Sequence, residues 1–465
     1  MFLHRRAMTM LVAVVLVAAT TTTTCAAPAP PPSGVFPLVG GSTRHAASDY
    51  AALKAMGANG GRVYASWAYI EQNVTKSLNT SLTLADVVAR PELADAWAAS
   101  PNVVWTEVDG RVADMAAAVP HVVLQVGGGA TNSLPHYGAD DIADPNVIGA
   151  EVYLAYMYMT SFACAKRYVA SGVHLYQIEN ELNEAYLASI AGQRRRQVLG
   201  SLWRDWDFLT RLLGTLKAAV VAGHAAGAAE LGEAARTALS PPMVTQNVHT
   251  DVAKWVHTVL DLKGFYTDAI AAWAPMLDWV SMDAYPNMVV ATPCLASVVG
   301  ERVKAARSVL ATIGQADKPV MIMETGYPVC GAGCNASTTF PAAANYTQAN
   351  QASCVAATVD AVFANGGLGF FFFTISATPG IVPPPGGYTA EDVSALNMIA
   401  ALYENHEDPV VLLEWIFGKG HVKYLESKRF ADMIGGIASA LGALDADGHP
   451  RPVVDALRAA YAKHR

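Results

Sequence analysis

The chain has 465 residues, of which 52% are hydrophobic and 15% are charged. This composition supports a large packed core, arranged as one big domain or two ordinary ones. The formal net charge of -8, without a basic stripe along the sequence, argues against a nucleic-acid-binding protein.

The N-terminal residues have the three parts of a secretory signal peptide. A basic segment, MFLHRR, is followed by the short apolar run MTMLVAVVLVAA and then by small residues. We expect residues 1–27 to be cleaved as a signal peptide, residues 28–34 to form a Pro-rich spacer, and residues 35–465 to be secreted. A signal anchor is the alternative, but this apolar run is short for a membrane span. No later run appears long enough, so we expect no stable membrane insertion after signal removal.

The remaining cysteines fit an oxidising compartment. Their number is odd, so at least one is free or pairs between chains. A cluster near the C-terminal third predicts one or two disulfides, and no CxxC pair supports a zinc site. The five cysteines are Cys164, Cys294, Cys330, Cys334 and Cys354. Four sequons predict a glycoprotein in a host that glycosylates, at Asn73, Asn79, Asn335 and Asn345.

From residue 35 onward, apolar strand-like runs alternate with helical stretches. The predicted strands are GVFPLVG, GGRVYASW, HVVLQVGGG, GVHLYQIENE, PMVTQNVHT, LDWVSMDAYPN, KPVMIMETGYP and LGFFFFTIS. The predicted helices include a long one from about Arg194 to Ala225 and a last one, RPVVDALRAAYAKH, that starts with proline.

Eight β-then-α units with strands that are apolar throughout predict the α/β class and a (β/α)8 TIM barrel. A doubly wound open sheet is the rival, but no GxGxxG follows the first strand. Two long excursions interrupt the pattern. One follows strand two, at about residues 71–102, and the other is an insertion at 377–440, between strand eight and the last helix.

Two glutamates stand where barrel enzymes place their active sites, at the C-terminal ends of strands. Glu181 ends strand four and Glu324 ends strand seven. Three strands apart, both can point into one cleft. Hydrolysis of a glycosidic bond needs such a pair, in which one carboxyl protonates the leaving oxygen and the other attacks the anomeric carbon or activates water.

The motifs ENE on strand four and ETGYP on strand seven resemble the paired catalytic motifs of the retaining glycoside hydrolases of clan A. The likeness runs from about Phe36 to the C terminus and implies Glu181 as general acid/base and Glu324 as nucleophile. It also implies that Asn180 holds the sugar 2-hydroxyl. ETGYP is most similar to the arabinogalactan endo-β-1,4-galactanases, with the β-1,3-glucanases next, whereas SWAYIEQ is closer to β-galactosidase-like and β-xylosidase-like members.

The resemblance extends to residues around the nucleophile. It implies that Arg62 lies near Glu324 and that Tyr285 hydrogen-bonds it, although either could instead be a core residue. His249 at the end of strand five is a candidate cleft residue, and Trp67 is a candidate platform for a sugar ring, with burial as its alternative.

One feature departs from the clan pattern. Most members end strand eight with a tryptophan under the sugar, whereas this chain reads GFFFFTISATPG. Phe373 or Trp415 is the candidate replacement. The sequence therefore predicts a secreted, monomeric, retaining β-glycosidase that acts on a carbohydrate without cofactor or metal. A non-catalytic glycan-binding barrel and a cell-wall transglycosylase are the alternatives.

Overall fold

The computed structural model describes residues 34–71, 78–128, 136–137, 141–185, 201–259, 262–331, 345–405, 424 and 427–465. The predicted signal peptide and nearly all of the spacer lie outside these residues, so the boundaries at 27 and 34 remain predictions.

A parallel sheet of nine strands forms the centre of the fold. In chain order the strands are β1 Leu38–Ser42, β2 Gly60–Tyr64, β3 His121–Val126, β4 Leu175–Ile178, β5 Met243–Thr245, β6 Asn247–His249, β7 Val280–Asp283, β8 Val320–Glu324 and β9 Gly369–Phe372. The predicted barrel is confirmed, but the strand count is nine instead of eight.

The ninth strand arises because predicted strand five is divided at Gln246. Its first half, β5, pairs with β4, and its second half, β6, pairs with β7. The strand order runs β5-β4-β3-β2-β1-β9-β8-β7-β6. The two edges of the sheet are thus halves of one chain segment, and the sheet curls into a nearly closed barrel that joins at Gln246.

Helices surround this sheet and follow its strands in the predicted alternation. They are α1 Ala47–Ala55, α2 Trp67–Ile70, α3 Leu84–Ala89, α4 Glu92–Ala98, α5 Thr106–Ala118, α6 Pro145–Ile148, α7 Ala150–Tyr168, α8 Trp206–Ala229, α9 Glu233–Thr237, α10 Lys254–Val259, α11 Tyr266–Trp273, α12 Ala296–Thr312, α13 Gln348–Ala364, α14 Ala390–Asn405, α15 Lys428–Ala438 and α16 Val453–His464. A short antiparallel pair joins His136–Tyr137 to Asp141–Ile142.

Helix α8 starts later than the sequence pattern predicted. The side chain of Asp205 accepts hydrogen bonds from the backbone N–H groups of Asp207 and Phe208, which caps the helix at Trp206 instead of near Arg194. Arg194 itself lies outside the described residues. Capping by a local carboxylate sets this boundary, and apolar periodicity does not reveal it.

Helix α8 also corrects the expectation about membrane spans. By length and composition it could cross a bilayer, although half of its most apolar window is buried in the protein. It packs closely on α7, because a Cβ at Gly223 would lie 2.2 Å from the backbone oxygen of Phe162. A core helix of a barrel passes the same test, so the finding is weak evidence for a membrane.

The barrel interior changes from apolar to polar along its axis. Near the N-terminal ends of the strands, one buried cluster contains Leu38, Val123, Leu175, Met243, Trp279, Met321 and Phe371. Nearer the C-terminal ends, Tyr64, Gln125, Gln177 and Thr245 are in register on four adjacent strands. Since residues paired in a parallel sheet share a face, this second layer is a polar ring beneath the C-terminal mouth.

A β-bulge in β8 determines which way Glu324 faces. Ile322 pairs with Met282, but the next pair is Glu324 with Asp283, so β8 has one residue more than β7 over this interval. Met323 faces the barrel interior, so strict alternation would turn the side chain of Glu324 to the opposite face of the strand. The extra residue instead brings Glu324 level with Asp283.

The two excursions add helices on the described parts of the chain. The first contains α3 and α4, and the second contains α14 and α15. The predicted disulfides are confirmed, because Cys294 bonds to Cys354 and Cys330 is disulfide-bonded as well. Cys164 is a buried free thiol. Two of the sequons, Asn79 and Asn345, are exposed, and the other two lie outside the described residues.

Substitution of Gly40 by alanine tests the tight contact between β1 and β2. The added Cβ would lie 1.8 Å from the backbone oxygen of Gly60, which cannot rotate away. We expect Gly40→Ala to lower the free energy of unfolding by about 1–3 kcal/mol, measured by urea denaturation. Gly110→Ala is the control, because this exposed helix position has no atom within 4 Å of the new Cβ. It should be neutral or stabilising, and equal losses in both variants would contradict the argument.

Candidate active site

Glu324 is held by two donors at the C-terminal end of the barrel. Its Oε1 accepts a hydrogen bond from Nη2 of Arg62, and its Oε2 accepts one from the hydroxyl of Tyr285 at 2.6 Å. Arg62 is fully buried and Glu324 is nearly so. The structure therefore brings together the three residues that the sequence resemblance grouped.

The guanidinium of Arg62 reaches this position from the apolar layer below. Arg62 pairs with Val123 in the sheet, and its Nη1 donates to Oε1 of Gln177 at 2.9 Å. Burial by itself would lower the pKa of Arg62, but the carboxylate of Glu324, with Tyr64 and Asp283, raises that pKa above its usual value. Burial and the charge of Glu324 likewise raise the pKa of Tyr285. Arg62 therefore remains a cation, and Tyr285 remains a hydroxyl donor.

Glu181 lies in the turn that follows β4. The strand ends at Ile178, and both Glu179 and Glu181 have left-handed backbones, with φ of 60° and 48°. Such conformations are uncommon for residues other than glycine and are concentrated at functional sites. Glu181 is half-buried. Burial, opposed by His249 and assisted by Glu324 and Glu184, raises the pKa of Glu181 to about 7.

Asp283 is a third carboxyl in the site, and sequence reasoning missed it. Carboxylate oxygens of Glu181, Asp283 and Glu324 all lie within 4.8 Å of one another. Asp283 is fully buried. It precedes Tyr285 by two residues in the predicted strand LDWVSMDAYPN, and this was the available signal, because alternate strand residues share a face.

An amide network supports the carboxyl cluster from below. Nε2 of Gln177 donates to Oδ1 of Asn247 at 2.6 Å and to Oδ1 of Asn180 at 3.1 Å. Nδ2 of Asn247 donates to Oδ1 of Asn180 at 2.8 Å and also to Asp283. Asn180 is half-buried beside Glu181, so its predicted place in the site is compatible with the geometry.

His249 forms a second charged group beside Glu181. Its Nδ1 lies 2.6 Å from Glu184 and its Nε2 lies 3.3 Å from Asp251. Although burial opposes it, the charges of Glu184 and Glu181 raise the pKa of His249 well above its usual value. Oδ1 of Asn183 accepts a hydrogen bond from the backbone N–H of His249, and Nδ2 of Asn183 donates one to the backbone carbonyl of His249. His249 is thus a cation fixed at the edge of the site, as its position at a strand end suggested.

Glu179 has a structural task. Its Oε1 accepts the backbone N–H of Gly128 at 2.7 Å, and a Cβ at Gly127 would lie 2.8 Å from the same oxygen. Gly127 also has a φ of 108°. The glycines after β3 therefore make a tight turn that fits around Glu179.

Two aromatic expectations have different outcomes. Trp67 has no exposed surface, donates to Glu71 at 2.8 Å and stacks on Tyr156, so it is a core residue and is withdrawn as a sugar platform. Phe373 is half-buried and lies edge-to-face with Tyr285 at 6.2 Å between ring centroids. Trp415 lies outside the described residues.

Acidic residues are grouped closely enough to hold a cation in two places within the described ranges. One group is Glu181, Asp283 and Glu324, and the other is the exposed turn with Asp445, Asp447 and His449. In the first group, Arg62 already supplies a positive charge to Glu324. Neither group has a feature that requires a metal.

The fold matches solved structures of glycoside hydrolases. No protein-family model matches the chain, and no curated protein is significantly similar to it in sequence. A GH5_18 protein from Streptomyces cattleya, solved with GlcNAc, is 12% identical over 92% of this chain and 80% of its own, with a TM-score of 0.52. A GH5_18 protein from Bifidobacterium longum subsp. infantis is 11% identical over 92% of this chain and 79% of its own, with a TM-score of 0.50.

At these identities the likeness shows the fold. It confirms at that level the resemblance to clan A barrels, to which the GH5 proteins belong. A fungal β-1,4-galactanase also overlaps over 90% of this chain and 94% of its own, at 14% identity, but its TM-score of 0.43 is too low to favour any substrate.

Replacement of Arg62 by methionine tests the buried ion pair. Glu324 would keep its burial but lose its cation, so we expect the free energy of unfolding at neutral pH to fall by about 3–5 kcal/mol. Arg90→Met is the control, since it breaks an exposed pair with Asp86 whose loss should cost about 0–1 kcal/mol. Similar losses in the two variants, measured by urea denaturation, would show that Glu324 does not depend on Arg62.

Proposed function

We propose that the protein is a retaining β-glycoside hydrolase with Glu181 as general acid/base and Glu324 as nucleophile. The observation that carries the proposal is the approach of carboxylate oxygens of these residues to within 4.8 Å. Retaining glycosidases have carboxyl groups about 5–5.5 Å apart, whereas inverting enzymes need about 6.5–9.5 Å to admit a water molecule. The spacing therefore favours attack by a carboxylate over attack by water in the first step.

The environments of the two glutamates agree with different roles. Arg62 and Tyr285 hold Glu324 with both oxygens oriented and its negative charge balanced, as a nucleophile requires. In the part of the chain that the structure describes, no cation forms an ion pair with Glu181, and its pKa of about 7 leaves it protonated below neutral pH. A carboxyl that keeps its proton near pH 7 can serve as a general acid.

The reaction proceeds in two displacements. Glu324 attacks the anomeric carbon while Glu181 gives its proton to the leaving oxygen, and the bond between sugar and aglycone breaks. Glu181, now ionised, takes a proton from water, and that water attacks the anomeric carbon, so that the bond between the sugar and Glu324 breaks. The second step releases the sugar with its original anomeric configuration and restores both residues. Asn180, which precedes Glu181 in the chain, is the residue proposed to contact the sugar 2-hydroxyl, and Phe373, which lies edge-to-face with Tyr285, is the candidate for the missing tryptophan.

Asp283 is unsuited to either reacting role. It is fully buried, whereas Glu181 is half-buried and Glu324 keeps a small exposed fraction. A group that touches the substrate has to be reached from the cleft. The proposed acid and nucleophile are therefore the two residues of the cluster that keep exposed surface.

We also propose that the mature protein is exported and acts on an external carbohydrate, most simply as a monomer. The support is the N-terminal signal pattern together with disulfide-bonded cysteines, which are typical of oxidising compartments. N-terminal sequencing of exported protein decides this point, because a retained Met1 would contradict cleavage near Ala27.

Glutamine substitutions at the two glutamates test the proposed chemistry. Wild type should release sugar from at least one substrate in a panel of β-galactan, β-1,3- and β-1,4-glucans, xylan, mannan and aryl β-glycosides. Glu181→Gln should lower kcat/KM by about 10²–10⁴ on natural substrates, because general acid catalysis is lost. Its loss should be smaller on dinitrophenyl glycosides, whose leaving groups need no proton. Glu324→Gln should be at least as impaired on every substrate.

The matched control is Glu107→Gln, an exposed helix position paired with Arg111. It should retain wild-type kcat/KM. Wild-type activity in both active-site variants would contradict the assignment. Products enlarged by sugar transfer would indicate a transglycosylase, and binding without turnover in wild type would indicate a glycan-binding barrel.

The pH dependence of kcat/KM follows from the raised pKa of Glu181. The acid is active in its protonated form, so activity should be retained below about pH 7 and lost as the pH rises through that value. Rates measured across the pH range in constant ionic strength check this. An alkaline limb near pH 4–5, the ordinary range of a glutamate, would show that burial does not act on Glu181 in this way.

A further inference from the structure

Asp283 occupies a place in the barrel that the two-carboxyl mechanism does not explain. It is fully buried, and it is in register with Glu324 on one side and with His249 on the other. Buried carboxylates are normally neutralised by a cation or by several hydrogen-bond donors. The donors around Asp283 therefore show in which protonation state it exists.

The donors near Asp283 do not suffice for an isolated carboxylate. One oxygen, Oδ2, accepts from Nδ2 of Asn247. Arg62, a cation whose charge acts on Asp283, is engaged with Glu324, Gln177 and the hydroxyl of Tyr64. Among the described residues, no amide, hydroxyl or cationic donor bonds the other oxygen, Oδ1.

The remaining neighbour of Asp283 is another acid. Carboxylate oxygens of Asp283 and Glu181 lie within 4.8 Å of each other. Two carboxylates that share a buried site repel each other, so one of them keeps a proton. Since ionised carboxyl groups are acceptors only, a proton between the two also supplies the donor that Oδ1 of Asp283 lacks among the described residues.

The charges that face the pair do not remove this need. The cations are Arg62 and His249, and the acids and hydroxyl are Glu324, Glu184 and Tyr285. Arg62 is paired with Glu324, and His249 lies between Glu184 and Asp251. Each cation therefore has carboxylates of its own, which leaves Glu181 and Asp283 to share a proton.

We propose that Asp283 is a positioning residue that shares one proton with Glu181 and so keeps the general acid loaded. This inference rests on the proposed glycosidase function and deepens it. Burial and the charges of Glu324 and Glu181 also raise the pKa of Asp283 well above its usual value, which agrees with a proton held between the two groups.

The shared proton acts in both displacements. In the first, Glu181 transfers it to the leaving oxygen as the glycosidic bond breaks, so the pair becomes doubly ionised. Formation of the ester removes the negative charge of Glu324. By itself, the loss of this charge would lower the basicity of Glu181. The charge of Asp283 remains, so Glu181 stays a strong enough base to take a proton from the attacking water. That proton returns the pair to its starting state.

Asp283→Asn tests the proposal with little change in shape. Oδ1 of the new amide can accept from Asn247, and its N–H₂ group faces Glu181, where it stabilises the ionised form. The alkaline limb of kcat/KM should therefore move at least about one pH unit lower than in wild type, a tenfold change in proton affinity. A role confined to packing would lower the rate without moving the limb, and an unmoved limb would overturn the proposal.

Asp144→Asn is the matched control, because Asp144 is a buried aspartate that accepts a hydrogen bond from Trp203 outside the site. The alkaline limb of kcat/KM in Asp144→Asn should coincide with that of wild type. Thermal unfolding of both variants shows whether each is folded at the assay temperature.

A titration of the free protein separates this proposal from the proposed function. With ¹³C-labelled aspartate side chains, the Asp283 signal is identified by its loss in Asp283→Asn. In wild type it should remain that of a protonated carboxyl above the usual aspartate range, and in Glu181→Gln it should titrate lower. Ordinary titration in wild type would overturn the shared proton even if the enzyme is active. A protein that cleaves no glycoside but shows the expected titration would contradict only the glycosidase function.

Discussion

The buried ion pair of Arg62 and Glu324 is the interaction around which the upper barrel is organised. A carboxylate at this depth is tolerated only with a cation and further hydrogen bonds, which Arg62 and Tyr285 supply. Arg62 in turn needs the oxygen of Gln177, and Gln177 orients Asn180 and Asn247. One buried charge thus sets the positions of side chains on strands β2, β4, β6 and β8 and directly after β7.

The backbone contributes two irregularities that make this arrangement possible. The bulge in β8 turns Glu324 to the level of Asp283, and the left-handed turn after β4 places Glu181 opposite them. Because one strand is divided at Gln246, β6 pairs with β7 and brings Asn247 and His249 to the same end of the barrel. Regular strands form the wall of the barrel, and the proposed reacting groups are located where regularity fails.

The sequence predicted the barrel and the two glutamates because both follow from simple periodic signals. Apolar strands alternate with helices, and functional carboxylates follow the strands. It did not predict Asp283, since an aspartate within an apolar strand shows no partner until the fold brings Glu181 to it. Trp67 was misplaced for a related reason, because its burial depends on Tyr156, which is distant in the sequence. The start of α8 depended on one capping carboxylate, that of Asp205.

The contrast between periodic sequence signals and contacts that form only in the fold also explains why the sequence does not identify the substrate. Identity of the sugar depends on side chains at the mouth and on the two excursions, whereas the chemistry depends on the barrel itself. The likeness to GH5 proteins at 11–12% identity therefore shows the barrel and leaves the reaction and the sugar to experiment.

Covalent trapping tests the central claim, that Glu324 attacks the sugar. The protein would be incubated with 2-deoxy-2-fluoro β-glycosyl fluorides of the gluco, galacto and manno series and studied by intact-mass and peptide mass spectrometry. The account predicts one added sugar per chain, attached to the peptide that contains Glu324, and none in Glu324→Gln. An adduct on Asp283 or Glu181, or turnover of these reagents without any covalent adduct, would contradict it.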